Sequence, residues 1–446
     1  MRSGRILVAL LILLGAAGVM VIGAEVYSRL LYLGLLLVAI SAVWTWAVTR
    51  PLSVVRQTRA LRANVGDILE EHFEIHNGSF LLNLWVEVFN ESPIPNAAGS
   101  RLLTLVGGRQ TRTYTARTWL TRRGAFPLGP TTLTSGDPFG LFRVRRRFPA
   151  HESLVVLPMI FEIPKFLSPP GLLPGGQVIR RKAPDVTPHS AGVREYIPGD
   201  PMKRIHWPTT VRRGQLMVKE FEQDPQAEIW LFLDAQESVH YQKAQRVETQ
   251  KADALLFKVD AILFGRRPDF HLPPSTLEYA VSISASLAHY FLGQRRAVGL
   301  VTSGRASSMI SAERGERQEG KMLETLAFVE AEGSLSLSGL VAARAQRLPQ
   351  GSSAILITPS VSPELLAGVD DLQRRHLRPV VVLIAAETFG GPPGTERILV
   401  SLAERNVPVC PIYCDANLSI ALTSFTNSPL TQDVRTWQRP PLPHLT

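Results

Sequence analysis

Two long apolar runs open the chain, at residues 6–22 and 30–48, with a short connection between them. A helix needs about 17–25 mostly apolar residues to cross the hydrocarbon core of a bilayer, and each run is close to that length. Two spans joined by so short a loop must run in opposite directions. The pattern therefore predicts a transmembrane helical hairpin over residues 1–50.

Arginines lie outside both ends of this hairpin: Arg2, Arg5, Arg50, Arg56, Arg59 and Arg62. The connection between the runs holds Arg29. The positive-inside rule then places both termini and the soluble domains in the cytoplasm, which predicts a multi-pass protein of the inner or plasma membrane. A cleaved signal peptide ending near Ala24, followed by a single span, is the alternative that the sequence leaves open.

From residue 51 to 165, apolar and polar positions alternate in short runs such as 72–76, 84–89 and 111–120. Turn residues separate the runs, and this period of two predicts an all-β, sandwich-like domain. Arg143, Arg145 and Arg147 would share one face of an extended strand. Such a cluster suits either an anion-binding surface or a charged edge strand beside acidic lipids.

Residues 166–226 are predicted to form a linker, which is rich in proline and glycine at its start. From 227 to 431, short continuous apolar runs alternate with helical patterns, as in the strand 229–233 and the helix 275–292. This alternation predicts an α/β domain on a parallel, doubly wound sheet, whose ligands bind at the carboxyl ends of the strands. Residues 432–446 are predicted to form a flexible tail.

The linker contains the most informative stretch, residues 194–224, which we call the signature segment: REYIPGDPMKRIHWPTTVRRGQLMVKEFEQD. Pro198 and Gly199 predict a turn. Asp200 suits a helix N-cap, and Pro201 suits the first helical position, where no N–H is needed. Pro208 is predicted to end this short helix, since the residue before a proline is disfavoured in the α region.

The signature segment resembles the motif of the bacterial "domain of unknown function 58" family. The similarity runs through Arg194, Tyr196, Gly199, Asp200, Arg204, His206, Trp207, Arg212 and Arg213. A second motif agrees with it: Arg123-Gly124, then Ser135-Gly136-Asp137-Pro138-Phe139-Gly140-Leu141-Phe142. Pro208 departs from the family, which more often has lysine there. The resemblance implies a membrane-anchored protein with a von Willebrand factor A-like α/β domain, often associated with MoxR-type AAA+ ATPases.

The same resemblance implies a divalent cation at the carboxyl edge of the sheet, held by a D-x-S-x-S loop, a threonine and a further aspartate. In this chain Asp234 and Ser238 match, Gln236 replaces the middle serine, and Ser334 lies near the threonine position. The later strand ends at Thr358 without an aspartate. With one carboxylate left, we expect a vestigial site that holds Mg²⁺ weakly or not at all, and no other cofactor.

The chain carries 48 Lys and Arg against 38 Asp and Glu, for a formal net charge of +10. This charge suits membrane lipids or an acidic protein, and without a recognisable module nucleic acid is a weaker candidate. In the second motif, residues 137–140 are interpreted as a fixed turn that packs Phe139 and Phe142.

The favoured hypothesis is a membrane-anchored interaction protein, an adaptor or assembly factor for a MoxR-type AAA+ ATPase, with no catalysis of its own. The alternative is a hydrolase or other enzyme in which Asp200 orients His206 as a general base. The signature segment would serve either as a partner-binding surface or as a clamp between domains. In the clamp, Arg194, Asp200, Arg204 and Trp207 would be buried together.

Overall fold

The computed structural model describes residues 2–95, 97–167, 190–197, 202, 205–221, 228–243, 272–304 and 307–427. The chain divides into two compact units, Met1–Met159 and Ile160–Thr446. The predicted tail, 432–446, lies outside the described residues.

The first unit begins with two helices, α1 (Arg2–Val21) and α2 (Glu25–Thr49), which pack against each other. Both are long and apolar enough to be membrane spans, although a signal sequence has the same character. Glycines allow their close approach, because a Cβ on Gly15 would lie 2.8 Å from the backbone nitrogen of Leu31. The connection is shorter than expected: residues 25–29 are helical, and Arg29 pairs with Glu25 at 2.9 Å.

In the described part of this unit the helices are followed by ten strands: β1 (Leu52–Thr58), β2 (Arg62–Asn64), β3 (Ile68–Asn77), β4 (Asn83–Asn90), β5 (Arg101–Val106), β6 (Thr111–Trp119), β7 (Gly124–Pro127), β8 (Thr131–Gly136), β9 (Arg143–Phe148) and β10 (Ser153–Leu157). They form sheets of order β1-β3-β6, β2-β10-β7 and β5-β4-β8-β9. The arginine-rich β9 is an edge strand.

The β1-β3-β6 and β5-β4-β8-β9 sheets share one core, in which Phe73 and Ile75 pack with Val86 and Val88. Phe73 also stacks on Tyr114 at 5.0 Å between ring centroids. Beside this core, the buried Glu71 carboxylate lies 3.9 Å from the Arg56 guanidinium. The region is thus β-rich and layered, and inward side chains alternate with outward ones along strands such as β3 and β6.

The second unit contains β11 (Ser190–Glu195), α3 (Trp207–Arg213) and β12 (Met217–Phe221), followed by an α/β sheet. The sheet strands are β13 (Ile229–Leu233), β14 (Val298–Ser303), β15 (Ser307–Glu313), β16 (Ser353–Thr358), β17 (Arg378–Ile384) and β18 (Val409–Ile412). The helices are α4 (Thr276–Gly293), α5 (Glu316–Ala327), α6 (Leu337–Arg344), α7 (Glu364–Arg374), α8 (Thr395–Glu404) and α9 (Leu418–Asn427). The strand order is β15-β14-β13-β16-β17-β18.

Hydrophobic contacts bury the central strands from both sides. Trp230 and Phe232 pack with the apolar residues of α6, α7 and α8. The largely buried α4 lies against β13, β16 and β17. This two-sided cover explains why β13 is apolar at every position and why β16 and β17 carry continuous apolar runs.

The prediction of a wholly parallel sheet is wrong at one edge, where β15 pairs antiparallel with β14. Only three residues, 304–306, separate these strands, and a parallel crossover requires a dozen or more. The hydrophobic pattern did not predict β15, because this strand consists mostly of polar residues. The sequence prediction also missed α9, which follows the last strand.

Candidate functional site

The signature segment folds around a two-stranded antiparallel ribbon, in which Arg194 of β11 lies opposite Val218 of β12. The short helix α3 lies in the connection between these strands. Residues 198–201, 203 and 204 lie outside the described residues, so the structure does not place Gly199, Asp200 or Arg204. The predicted cap at Asp200 and helix start at Pro201 fall in the same gap.

Pro208 was predicted to follow the end of a helix, and it lies instead in the first turn of one. The helix starts at Trp207, with Pro208 in its first turn, where the missing N–H has no intrahelical partner to lose. His206 is the N-cap: its Nδ1 accepts from the Thr209 backbone N–H at 3.3 Å and lies 2.7 Å from the Thr209 hydroxyl. The helix ends at Gly214, whose φ of 67° is in the left-handed region.

Backbone and side-chain hydrogen bonds fix α3 on the ribbon. The N–H of His206 donates to the Met217 carbonyl at 2.8 Å, and the Met217 N–H donates to the Thr210 hydroxyl at 3.0 Å. The Tyr196 N–H donates to the Leu216 carbonyl at 2.8 Å. Ile205, Met217 and Val218 are buried. The ribbon and α3 therefore present their remaining residues on a well-defined scaffold.

Large apolar side chains on this scaffold are exposed, and we call them the signature face: Ile197 (53% exposed), Met202 (73%), Trp207 (61%), Val211 (80%) and Leu216 (43%). Trp207 and Val211 are one helical turn apart and so lie on the same side of α3. Arg212 and Arg213 in its last turn are also exposed. The exposure of Trp207 is consistent with a partner-binding surface. The clamp between domains stays a prediction, because Asp200 and Arg204 lie outside the described residues.

The second candidate region is the carboxyl edge of the α/β sheet, around the fully buried Asp234 that follows β13. One carboxylate oxygen accepts from the Thr358 hydroxyl at 2.6 Å, and the other accepts from the Gln236 N–H at 3.1 Å. Burial raises the pKa of Asp234 to about 6, although both hydrogen bonds oppose the shift. Thr358 occupies the strand end where the resemblance implies a second aspartate.

Ser238 and Ser334 belong to loops that meet beside Asp234. The Ser238 hydroxyl accepts from the Gln236 side-chain amide at 2.9 Å. The backbone of Gly333 bridges the same loop, with its N–H bonded to the Ala235 carbonyl at 2.9 Å. Ser334 follows this bridge and is exposed. The structure thus brings the three residues of the predicted metal site to one edge of the sheet.

The donor set at this edge does not fit a hard divalent cation. Asp234 supplies the carboxylate, and both of its oxygens already accept protein hydrogen bonds. Within the described residues there is no cluster of three or more His, Cys, Asp or Glu side chains that could hold a metal. Mg²⁺ and Ca²⁺ prefer several oxygen ligands, with carboxylates prominent among them.

Sequence reasoning missed His240, which ties this edge to α4. Its Nε2 lies 2.9 Å from the Asp234 carbonyl oxygen, and its Nδ1 lies 3.0 Å from the Thr276 hydroxyl. The Thr276 hydroxyl also accepts from the Tyr241 N–H at 2.9 Å. No spacing in the sequence pointed to the contacts with Thr276, because they join residues about 35 positions apart. They give the Asp234 loop a fixed conformation.

In the second motif, the buried Asp137 carboxylate accepts from three backbone N–H groups, those of Phe139 (2.9 Å), Leu141 (3.1 Å) and Phe142 (2.5 Å). The fixed turn is therefore present. Its predicted role in packing aromatic rings is wrong, because Phe139 is 52% exposed and Phe142 37% exposed. The loop instead contacts the start of α1, where Arg5 Nε donates to the Leu141 carbonyl at 2.9 Å.

Comparison with known proteins gives a match for residues 192–265 to the family described as "Protein of unknown function DUF58". The chain is also 24% identical over 220 residues to "Uncharacterized protein YeaD" of Bacillus subtilis (strain 168). That alignment covers 48% of this chain and 45% of YeaD, so the chain spans about half the length of this relative.

Two solved structures align with parts of the chain. One is the CARDB domain of the PF1109 protein from Pyrococcus furiosus, with a TM-score of 0.17, 14% identity, and coverage of 24% of this chain and 91% of that one. The other is a chain from the complex of Zinc 2-glycoprotein and Prolactin inducible protein from human seminal plasma. Its TM-score is 0.19 and its sequence identity 13%, and the alignment covers 24% of this chain and 97% of that one. With TM-scores this low, neither defines the fold. The chain is thus similar to the DUF58 family over residues 192–265, and to YeaD over 220 residues.

Proposed function

We propose that this protein is a membrane-anchored adaptor or assembly factor that binds a MoxR-type AAA+ ATPase through the signature face. The exposure of Trp207 and Val211 carries the proposal. Soluble surfaces rarely leave large apolar groups together in water without a binding role. Tryptophan is also among the residues that most often dominate binding energy at protein interfaces. The support for an ATPase as the partner is the family resemblance.

A protein partner suits this surface better than a small molecule does. The apolar side chains project from a short helix and its ribbon, whereas small-molecule sites are concave and enclose their ligand. Arg212 and Arg213 stand next to the apolar group and would form a basic rim. Such a rim favours an acidic patch on the partner and would accelerate association at low salt.

The α/β domain is proposed to be von Willebrand factor A-like. Its strand order, numbered within the sheet, is 3-2-1-4-5-6, with the third strand antiparallel at the edge. The all-parallel dinucleotide-binding sheet shares this order but has no antiparallel edge. Both carboxylate oxygens of Asp234 already accept hydrogen bonds from the protein. This favours contacts between this edge and a partner that do not require a bridging cation.

The capping role of His206 weighs against the enzyme alternative. Because Nδ1 accepts the Thr209 N–H, the neutral imidazole must carry its proton on Nε2. The ring then has no free lone pair with which to abstract a proton. A general base requires such a lone pair within reach of the substrate. We therefore propose no catalytic activity for the signature segment.

Both membrane helices are proposed to be uncleaved spans, with the termini and the soluble units in the cytoplasm. The arginine distribution supports this orientation. The contact of Arg5 with the Leu141 carbonyl supports retention of α1, because a cleaved signal peptide would remove that partner. An ATPase partner would then be on the same side of the membrane.

Site-specific photo-crosslinking tests the proposal in intact membranes. A photoreactive residue is placed at Val211 in the full chain, and at Ile420 on α9 as the control, because Ile420 is also an exposed aliphatic residue of the second unit. We expect a covalent adduct from position 211, identified by mass spectrometry as a MoxR-type ATPase, and none from position 420.

Two results would contradict the proposal. One is the absence of an ATPase adduct from position 211 at native expression of both proteins. The other is an equal yield from both positions, which would indicate random encounter. Extraction of the chain from membranes by alkaline carbonate would separately contradict the anchoring.

A further inference from the structure

A cavity of about 510 Å³ lies within the first unit, where the end of α2 meets the edge strand β9. One wall is formed by side chains from the last two turns of α2, starting at Ala42, and by Arg50 directly after the helix. The other wall is formed by side chains from the stretch 142–146. Sites for small molecules occupy about 300–1,000 Å³, so the cavity is large enough for the polar part of a lipid. It belongs neither to the signature face nor to the Asp234 edge.

Three arginines line this cavity: Arg50, Arg143 and Arg146. No acidic residue is among the lining residues that the structure describes. Glu91, an acidic residue near β9, pairs instead with Arg147 at 3.0 Å. The cavity is therefore a site of concentrated positive charge.

Aromatic rings and helix carbonyls hold these guanidinium groups in place. Arg50 lies over the Trp46 ring at 5.4 Å, and Arg143 lies over the Trp85 ring at 4.9 Å. Arg146 donates to the carbonyls of Thr49 and Leu52 at 3.2 and 2.8 Å, which satisfies the end of α2. Little side-chain order would be lost when an anion binds.

A buried hydroxyl in the cavity wall provides an independent indication of a polar ligand. Thr45 is 3% exposed, and its hydroxyl has no hydrogen-bond partner within the described part of the protein. An unpaired buried hydroxyl destabilises the fold, since it has lost its hydrogen bonds to water. Thr45 also lines the cavity, so a ligand oxygen there would supply the missing partner once the hydroxyl turns towards it.

The cavity changes from apolar to cationic along α2. Ala42 and Arg50 are eight residues apart, which corresponds to about 12 Å along a helix. Ala42 and Thr45 lie towards the middle of the apolar helix, Trp46 follows, and Arg50 comes at its end. Tryptophan typically occurs at the level of the lipid headgroups. A phospholipid has the same sequence of groups, from acyl chain through ester region to phosphate.

We infer that this cavity binds the headgroup of an anionic phospholipid, with its phosphodiester at the three arginines and its ester region near Thr45. Basic pockets beside transmembrane helices on the cytoplasmic side recognise such headgroups. The inference rests on the proposed membrane anchoring, and it adds a specific lipid to that proposal. The bound lipid would fix the β-rich domain against the membrane end of α2.

Native mass spectrometry of the full chain, released from nanodiscs, tests this inference. The probes are phosphatidylglycerol and the zwitterionic phosphatidylcholine, and inorganic phosphate represents a free anion. Arg143→Gln and Thr45→Val remove one charge and one hydroxyl from the cavity. Arg145→Gln is the matched control, because Arg145 lies in the same strand and is exposed but does not line the cavity.

We expect one retained phosphatidylglycerol per chain, with retention reduced about tenfold or more by Arg143→Gln and by Thr45→Val. Arg145→Gln should retain the lipid as the wild type does. The inference is overturned if phosphatidylcholine is retained equally, if Arg145→Gln weakens retention as much as Arg143→Gln, or if inorganic phosphate displaces the lipid. Thermal unfolding of each variant shows that it is folded. Failure of membrane integration would instead count against the proposed anchoring.

Discussion

Replacing Thr358 by valine removes a hydroxyl that hydrogen-bonds the buried Asp234 carboxylate, while the side chain keeps its shape. The lost bonds are the 2.6 Å contact to Asp234 and the 2.9 Å contact from the Ser360 N–H. A hydrogen bond to a charged group contributes about 1.5–3 kcal/mol, and a neutral one about 0.5–1.5 kcal/mol. We therefore expect Thr358→Val to lower the stability of the α/β domain by about 2–4 kcal/mol at pH 8.

The loss should depend on pH with a defined sign. The folded pKa of Asp234 is about 6, above the value of about 3.9 for an unfolded aspartate. The folded state therefore holds the proton more tightly, and the contribution of Asp234 to stability is greatest below pH 4. It declines as the pH rises to 6, by an amount on the order of 3 kcal/mol. Since Thr358 hydrogen-bonds the charged form, its removal should cost less at pH 5, about 1 kcal/mol.

Hydrogen–deuterium exchange of the β13 strand in the full-length protein measures this effect, because a buried central strand reports the opening of its whole domain. Thr358→Ser is the matched control, since it keeps the hydroxyl and loses a methyl group. Protection should fall strongly for valine at pH 8 and only slightly for serine at either pH. Equal losses for valine and serine, or a valine effect that does not change with pH, would refute the role assigned to this hydrogen bond.

Asp137→Ala should speed amide exchange in the following loop by at least tenfold, because three backbone N–H groups lose their acceptor, whereas Asp137→Asn should give a smaller change. Glu71→Ala should destabilise the first unit by about 3–5 kcal/mol in thermal unfolding, because it leaves the buried Arg56 without the Glu71 carboxylate. Replacing both Glu71 and Arg56 by apolar residues should recover most of this loss of stability. Gln236→Ser combined with Thr358→Asp should create Mg²⁺-dependent stabilisation, which at about 10 mM ion and a Kd of about 1 mM amounts to about 1.4 kcal/mol.

Each of these three predictions has a result that contradicts it. Unchanged exchange in the Asp137 loop would mean that its short contacts do not hold the turn. A Glu71→Ala protein as stable as the wild type would mean that water reaches Arg56. Equal stabilisation of the wild type and the double variant by Mg²⁺ would show that the Asp234 edge already binds the cation.

Hydrophobic periodicity predicted the elements whose burial is strong and local. The two long N-terminal helices, the central strands of the α/β sheet and the helices that cover it all appear where the apolar pattern placed them. Strand β15 was missed because it lies at a sheet edge and carries mostly polar residues. The three residues between β14 and β15 do indicate how these strands pair, since so short a connection can join neighbouring strands only as an antiparallel hairpin.

Local rules failed where one residue type serves two purposes. Proline is common both after a helix and in its first turn, so Pro208 alone does not decide whether one helix ends before it or another begins with it. Histidine is not among the preferred N-caps, and the role of His206 depends on a ring nitrogen aimed at Thr209. Residue preferences at helix ends do not predict the orientation of the His206 ring.

Contacts between distant parts of the chain were beyond the sequence. The hydrogen bond between Asp234 and Thr358 joins residues 124 positions apart. The cavity brings the end of α2 next to residues about 100 positions later. Each arginine and threonine involved is unremarkable in its local sequence, because its role arises only from the register of the β5-β4-β8-β9 sheet and its packing on α2.

The affinity of the full-length protein for a purified MoxR-type ATPase, measured in nanodiscs, tests the central claim most directly. Trp207→Ala removes the largest side chain of the signature face, and Phe328→Ala is the control, because Phe328 is an aromatic residue of similar exposure on the second unit. Truncation of an interface hot spot costs about 2 kcal/mol or more, which is about a thirtyfold loss of affinity. We predict that loss for Trp207→Ala and an unchanged Kd for Phe328→Ala. Equal affinity of both variants and the wild type would contradict the proposal that the signature face is the docking surface.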